Sequence, residues 1–160
     1  MSTAVLGLGS NLGDRLAALQ SAVDRFETLA VSSVYESEPV GPPQPDYLNA
    51  VIVVGWTGSP RELLEACHAA EAAYGRVRSR RWGPRTLDVD VVAVGDLELD
   101  GPELVLPHPR AAERAFVLLP WLDVEPAAVL PDGRKVADVL ATLDASGVRR
   151  RDDLALRLAT

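Results

Sequence analysis

The order of strand-like and helix-like segments is the feature that most constrains the fold of this chain. Apolar runs of strand length predict strands over residues 3–9, 31–37, 47–56 and 87–94. Helical patterns separate the first strand from the second and the third from the fourth. The resulting order, β-α-β-β-α-β, is that of the ferredoxin-like α/β sandwich, so we predict an α+β fold with two helices on one face of an antiparallel sheet.

Capping residues and apolar spacing define the two helices. We expect Ser10 or Asn11 to cap the first helix. Ser59 and Glu62 form a capping box with a proline at the first helical position, and this helix is expected to run to about Tyr74. Four apolar residues recur at helical spacing in the first helix: Leu16, Leu19, Val23 and Phe26.

The last part of the chain carries weaker signals. A turn at 131–133 precedes a short helix, and its apolar side contains Val136, Val139, Leu140 and Leu143. The 160 residues contain no repeat or linker, so we expect a single domain over residues 1–160. Residues 147–160 form an uninformative tail.

The composition limits the classes of partner. The net charge is −7, which argues against nucleic-acid binding because contacts with phosphates need a basic surface. Cys67 is the only cysteine, so no internal disulfide can form. The sequence has no secretory leader pattern and no apolar run of bilayer length. We therefore expect a cytoplasmic protein, monomeric and without a membrane partner.

An Asp-x-Asp pair stands in the last predicted strand. Because a strand repeats every two residues, Asp88 and Asp90 point to one face with Cα atoms about 7 Å apart, and their charges repel unless a cation lies between them. Five arginines fall in the window 76–85. Carboxylates that hold Mg²⁺ beside guanidinium groups that bind phosphate are typical of phosphoryl transfer. Taken alone, each feature also fits a solvated surface.

Other nucleotide and metal motifs are absent from the sequence. The glycines of GLGSNLG at 7–13 are not spaced for a dinucleotide loop, and they predict a strand-to-helix turn. No G-x-x-x-x-G-K-[ST] motif occurs, which excludes a P-loop kinase. His68 and His108 lack companions at the spacing of zinc ligands.

Five segments together resemble the 6-hydroxymethyl-7,8-dihydropterin pyrophosphokinase family. They are RWGPRTLDVDVV at 81–92, GSNLGD at 9–14, PDYLNA at 45–50, GRVR at 75–78 and PHPRAAERAF at 107–116. The resemblance implies transfer of pyrophosphate from ATP to the hydroxymethyl oxygen of the pterin, with Mg²⁺ as cofactor and AMP released, in folate biosynthesis.

The resemblance also implies residue roles. Asp88 and Asp90 would bridge two Mg²⁺ ions on the ATP phosphates. Positions that match the family's ATP site are His68, Glu71, Arg78, Arg81, Trp82, Arg85, Val91, His108 and Arg114. Those that match catalytic positions are Arg76, Trp82, Arg85 and His108. Arg76 and Arg78 match a mobile loop that closes over the phosphates.

A polar and aromatic pair on the third predicted strand suits recognition of a flat heterocycle. Such a ring needs aromatic faces and a hydrogen-bonding partner at its edge. Tyr47 and Asn49 are two residues apart on a strand and share a face. The resemblance implies that Tyr47 and Phe116 sandwich the pterin while Asn49 bonds to its edge, and that the backbone from Ser37 to Val40 completes the pocket. Without the resemblance, the two aromatic residues fit ordinary core packing.

Two alternative functions remain open. A nucleotidyltransferase would use the same Asp-x-Asp motif with Mg²⁺ but release pyrophosphate instead of AMP, so the product separates the two enzymes. A non-enzymatic ferredoxin-like RNA-binding module is disfavoured by the acidic charge and by the lack of an aromatic-rich RNA-binding strand.

Overall fold

An antiparallel sheet forms the centre of the protein, for which a computed structural model describes residues 2–39, 43–74 and 86–158. The strands are β1 (Ser2–Ser10), β2 (Glu27–Val31), β3 (Tyr35–Ser37), β4 (Tyr47–Trp56), β5 (Asp88–Val94), β6 (Leu99–Asp100), β7 (Val105–Leu106) and β8 (Val148–Arg150). The main sheet has the order β5-β1-β4-β3-β8, with β2 also paired to β4. Strands β6 and β7 pair with each other in a separate small sheet.

The helices are α1 (Arg15–Arg25), α2 (Pro60–Ala73), α3 (Ala115–Val124) and α4 (Val136–Leu140), with a 3-10 turn at Ala111–Glu113. The capping box of Ser59 and Glu62 at the start of α2 is confirmed. The predicted cap of α1 is wrong: Asp14 accepts the N–H of Ala17, because Ser10 still belongs to β1. Within the described ranges, none of these helices has the length and apolar character needed to cross a bilayer.

Two apolar cores lie on opposite faces of the sheet. Alternate residues of a strand point to opposite faces. One core joins alternate residues of β1, β4 and β5, such as Leu6, Ile52 and Val91, to α1 and α2. The other joins Val5, Val51 and Val92 to α3 and α4. The mixed α and β class, the antiparallel sheet and the placement of the two predicted helices, α1 and α2, on one face are therefore confirmed, and α3 and α4 add a second layer on the opposite face.

The predicted strand over 31–37 is two strands with a break between them. At the break, the hydroxyl of Ser32 accepts the N–H of Val51 (2.9 Å) and donates to the carbonyl of Ser33 (2.7 Å). The backbone N–H of Ser32 still donates to the carbonyl of Val51 at 2.9 Å, but the N–H of Val51 is bonded by the serine side chain in place of a main-chain carbonyl. Strand β2, over 27–31, had no clear alternation and was not predicted.

A buried carboxylate fixes the C-terminal strand. Glu36 on β3 accepts hydrogen bonds from Arg15 (2.6 Å), Arg149 (2.7 Å) and Arg151 (3.0 Å). The bond from Arg15 is the main cause that lowers the pKa of Glu36, against the opposing effect of burial. The carboxylate therefore links the start of α1 to β3 and β8, a strand that lies in the tail where the sequence showed no pattern.

We predict that Glu36→Gln lowers the free energy of unfolding by about 1.5–3 kcal/mol at pH 7, because hydrogen bonds to a charged group are lost. A carboxyl with a lowered folded-state pKa stabilises the fold above its ordinary value, 4.5 here, and loses that contribution as the pH falls through the folded value. The difference between variant and wild type in urea unfolding should therefore shrink below about pH 4.5.

Asp152→Asn is the matched control. It removes an exposed ion pair with Arg150 and should change stability by less than about 0.5 kcal/mol. A pH-independent difference for Glu36→Gln would contradict the assignment of the stability to the ionised carboxylate.

Candidate functional site

Strand β1 brings the Asp-x-Asp motif next to the polar residues of β4. Its register places Gly9 opposite Asn49 on one side and opposite Asp88 on the other. Directly opposite residues share a face of the sheet. Asp88, Gly9 and Asn49 therefore form one row across three strands, with the outer Cα atoms about 10 Å apart at normal strand spacing.

The same face carries the other candidate residues of these strands. Gly7 lies opposite Asp90, so the second carboxylate falls in the neighbouring row. Asp88 and Asp90 alternate with Val89 and Val91, which belong to the core under α1 and α2. Both carboxylates thus point to the α3 side, which agrees with the prediction that they share a face.

Two glycines keep the space between the flanking strands open. A Cβ atom at Gly9 would lie 3.4 Å from Cδ1 of Tyr47 and 3.7 Å from Oδ1 of Asn49, and one at Gly7 would lie 3.4 Å from Cγ2 of Val92. We call the surface over Gly7 and Gly9 the trough. The strand-to-helix turn predicted from the segment 7–13 begins after Ser10 and includes Gly13, which has φ of 73°, while Gly7 and Gly9 belong to β1.

One wall of the trough is polar and ordered by an internal hydrogen bond. Asn49 is buried, and its Nδ2 donates to Oγ of Ser37 at 2.7 Å. Ser37 lies opposite Tyr47 in the pairing of β3 with β4. Since Nδ2 is engaged, Oδ1 is the atom of Asn49 that faces Gly9.

Helix α3 packs against β4 on this side of the sheet. Phe116 is half-buried in its first turn, and the guanidinium carbon of Arg114 lies 5.7 Å from the centre of the Phe116 ring. The structure therefore brings α3, which carries Phe116, to the face of the sheet that carries Tyr47 and Asn49. Val40, the remaining candidate for this pocket, lies outside the described residues.

A cavity of about 420 Å³ adjoins the carboxylates at the edge of β5. It lies between α2, β5 and the segment around β7. Its lining includes both carboxylates and four of the predicted ATP positions: His68, Glu71, Val91 and His108. Arg114 is not part of this lining.

The surroundings of His108 in this cavity favour its neutral ring. Burial is the main cause that lowers its pKa, and Arg114 and Arg110 act in the same direction while Asp90 opposes them. The Nδ1 atom accepts the backbone N–H of Arg110 at 3.2 Å. The neutral ring therefore carries its proton on Nε2, which can serve as a hydrogen-bond donor.

Glu71 supports the strand that holds the Asp-x-Asp motif. This buried side chain of α2 accepts the backbone N–H of Val89 at 2.9 Å through Oε2. Val89 stands between the two aspartates on the edge of the sheet. Glu71 therefore holds the backbone of β5 in place between the two aspartates.

Asn11, which the sequence suggested as a possible cap of the first helix, instead links the end of β1 to the segment before Tyr47. Its Nδ2 donates to Oε1 of Gln44 (2.9 Å) and to the carbonyl of Pro45 (3.0 Å), just before Tyr47. Its side chain is almost completely buried. The signal was available in the segment 9–14, but the contact joins residues more than thirty positions apart.

Five predicted phosphate-site residues lie outside the described residues: Arg76, Arg78, Arg81, Trp82 and Arg85. Their roles remain predictions. They precede Asp88 directly in the sequence.

The described residues fit a magnesium site with few protein ligands. Mg²⁺ is usually held by one or two carboxylates, with water and substrate phosphates completing its shell. In the described ranges, no three or more His, Cys, Asp or Glu side chains group as metal ligands. Asp88 is half-buried and Asp90 exposed, so a pair of hard oxygen ligands opens to the cavity.

Paired carboxylates beside a polar trough are typical of sites for metal-dependent phosphoryl transfer. The family model of 7,8-dihydro-6-hydroxymethylpterin-pyrophosphokinase matches residues 5–126. The chain belongs to this family.

Relatives and solved structures agree with that assignment. A 2-amino-4-hydroxy-6-hydroxymethyldihydropteridine pyrophosphokinase of Methylorubrum extorquens is 43% identical over 157 residues, which cover 94% of this chain and 99% of the relative. One of Mycobacterium tuberculosis is 44% identical over 160 residues, with 90% and 85% covered. A Plasmodium falciparum HPPK-DHPS chain solved with pteroate has a TM-score of 0.69 at 13% identity, over 93% of this chain and 46% of that one. This last likeness concerns the fold alone, and the chain spans about half the length of that solved chain.

We predict that Glu71→Ala destabilises the protein by about 1–3 kcal/mol, because the buried N–H of Val89 loses its acceptor. Urea unfolding measures the loss, and hydrogen exchange at Val89 should become faster. Glu65→Ala is the control, since it makes the same change at an exposed position of α2 and should cost less than about 0.5 kcal/mol. Equal losses in the two variants would rule out the support of β5 by Glu71.

Proposed function

We propose that this protein carries out its family's reaction in the trough and the adjoining cavity. As a member of the family it is a pyrophosphokinase, a transferase that moves pyrophosphate from ATP to the hydroxymethyl group of 6-hydroxymethyl-7,8-dihydropterin in folate biosynthesis. The observation that carries the site assignment is the row of Asp88, Gly9 and Asn49. The row supports the proposal because the residues proposed to hold the metal and those proposed to bind the pterin then share one face, with a glycine between them.

The cavity side is assigned to ATP. Asp88 and Asp90 would hold the two Mg²⁺ ions, which would neutralise phosphate charge when bound. His108 offers its Nε2–H to a phosphate oxygen, while His68, Glu71 and Val91 border the space for the nucleoside. Arg114 precedes α3 and lies close enough to His108 to act on it electrostatically, so it would reach the phosphates from that end of the cavity. The arginines and Trp82 of the segment 76–85 complete the phosphate site.

The trough side is assigned to the pterin. Oδ1 of Asn49 can accept an N–H from the edge of the ring, because its Nδ2 is already bonded to Ser37. Tyr47 and Phe116 would cover the two faces of the ring, and the backbone near Ser37 and Val40 would close the pocket. Binding both substrates on one face orients the hydroxyl toward the phosphates, which is the main catalytic requirement of such a transfer.

The proposal also covers the fold class, the oligomeric state and the cellular location of the protein. We describe the core as ferredoxin-like, which is supported by the order β5-β1-β4 with β2 and β3 beyond β4. We further propose that residues 1–160 act as one monomeric domain in the cytoplasm. Gel filtration with light scattering tests the monomer.

The reaction is tested by a product assay with ATP, Mg²⁺ and 6-hydroxymethyl-7,8-dihydropterin. The proposal requires AMP and the pterin diphosphate in equal amounts, and no AMP when the pterin is omitted. Release of pyrophosphate with a nucleotidylated pterin would identify a nucleotidyltransferase instead.

We predict that Asp88→Asn and Asp90→Asn each lower turnover by about 100-fold or more, since loss of a supporting ligand contact alone costs 10- to 100-fold at metal sites. Stability should not fall, because repulsion between the two carboxylates is relieved. Asp96→Asn, an exposed change just beyond β5, is the control and should keep wild-type turnover. Near-normal turnover in either active-site variant would remove the two-carboxylate assignment.

We predict a size limit at Gly9. Gly9→Ala places its methyl group at ordinary contact distance from Tyr47 and should bind the pterin within about threefold of wild type. Gly9→Val fills the trough and should weaken pterin binding by about tenfold or more, measured by calorimetry with a non-hydrolysable ATP analogue and Mg²⁺.

Thr3→Val is the control for Gly9→Val, since it introduces the same residue on the same strand, at its exposed far end. It should leave pterin binding unchanged. Wild-type affinity in a folded Gly9→Val variant would place the pterin away from the trough.

A further inference from the structure

A carboxylate near the end of α3 is bonded to strand β3. Oδ2 of Asp123 accepts the hydroxyl of Tyr35 at 2.9 Å and the backbone N–H of Ser33 at 3.2 Å. Tyr35 is buried, and burial followed by the bond to Asp123 raises its pKa to about 12. The hydroxyl therefore keeps its proton and donates at neutral pH.

Asp123 and Phe116 lie on the same side of α3. They are seven residues apart, which is about two turns of helix, or about 10 Å along its axis. A rotation of α3 that breaks the bonds of Asp123 would therefore also move the Phe116 ring sideways. The orientation of one side chain is coupled to that of the other through the helix.

The strand that anchors Asp123 also organises the polar wall of the trough. Tyr35 lies opposite Asn49, and Ser37 lies opposite Tyr47, in the pairing of β3 with β4. Asn49 donates to Ser37 on that same strand. Strand β3 thus fixes the position of α3, which carries Phe116, and also that of Tyr47 and Asn49.

The remaining contacts of α3 with the sheet are largely apolar. Leu118 and Trp121 pack into the core that contains Val51 and Val92. Apolar burial holds a helix against a sheet without a strong preference for its rotation, whereas a hydrogen bond is directional. The bonds of Asp123 therefore select one orientation among those that the apolar core allows.

We propose that Asp123 and Tyr35 are positioning residues for the pterin pocket, which hold Phe116 opposite Tyr47 and Asn49 through the hydrogen bond between α3 and β3. The inference rests on the proposed function, because it concerns the same pocket. Neither residue touches the substrate; both act through Phe116.

The test compares Tyr35→Phe with wild type. The variant keeps the ring and removes only the hydroxyl. Calorimetry with 6-hydroxymethylpterin, in the presence of a non-hydrolysable ATP analogue and Mg²⁺, should give an affinity about threefold to tenfold lower, while affinity for the ATP analogue alone is unchanged. Asp123→Leu should weaken pterin binding at least as much as Tyr35→Phe, because it also removes the bond from Ser33, and Asp123→Asn should retain most of the affinity because an acceptor oxygen remains.

A double variant shows whether the effect passes through Phe116. In a Phe116→Ala background, Tyr35→Phe should weaken pterin binding no further, because the ring that it positions is gone. Additive losses in the double variant would overturn the proposal.

Thr28→Val serves as the stability control, since it removes a hydrogen bond from Thr28 to the carbonyl of Val23 (2.8 Å), where β2 meets α1. If Tyr35→Phe lowers the melting temperature as Thr28→Val does but leaves pterin affinity within twofold, the contact is structural only and the proposal is wrong. If Phe116→Ala itself binds pterin like wild type, the proposed pocket fails, and the positioning role fails with it.

Discussion

Strand β1 is paired on both sides, and the register of these two pairings decides which side chains share the site. Gly9 meets Asn49 on β4 and Asp88 on β5. A shift of one residue in either pairing would turn a whole set of side chains to the opposite face and expose apolar residues such as Leu8. Burial of the core under α1 and α2 therefore holds the carboxylates and the polar wall on the other face.

The two faces of the sheet differ in how far apolar residues extend along them. The face under α1 and α2 is apolar along most of the length of β1, with Ala4, Leu6 and Leu8 all buried there. The opposite face is apolar only at the end marked by Val5, where α3 and α4 cover it. Further along β1, the residues on this face are Gly7 and Gly9. The candidate site thus lies where the core under α3 and α4 ends and where β1 has glycines in place of larger residues.

The carboxylates of the protein differ in the groups that they contact. Glu36 is bonded to three arginines from two parts of the chain, Arg15 and the pair Arg149 and Arg151, and its charge holds β8 to the sheet. Glu71 uses an oxygen to bond the backbone of β5, and Asp123 uses one to bond β3. Asp88 and Asp90 line the cavity at the edge of β5, where the proposed function assigns them to a metal ion.

The sequence by itself determined those features that depend on local periodicity and local hydrogen bonds. Alternation along a strand is enough to place Asp88 with Asp90 and Tyr47 with Asn49, and the capping box at 59–62 needs only four consecutive residues. The five motifs determined the family, since their residue types and order are local and specific.

Tertiary structure decided everything that joins distant segments. The split of 31–37 depends on a bond from β4 to Ser32, and the second helical layer depends on the apolar face that β1, β4 and β5 form together. The strand at 148–150 has no pattern of its own, because the arginines that fix it find their partner in Glu36. Likewise, the two glycines of β1 became the floor of a site only once two neighbouring strands paired with them. Spacing along a chain determines which side chains share a face, whereas non-local pairing determines which strands lie side by side.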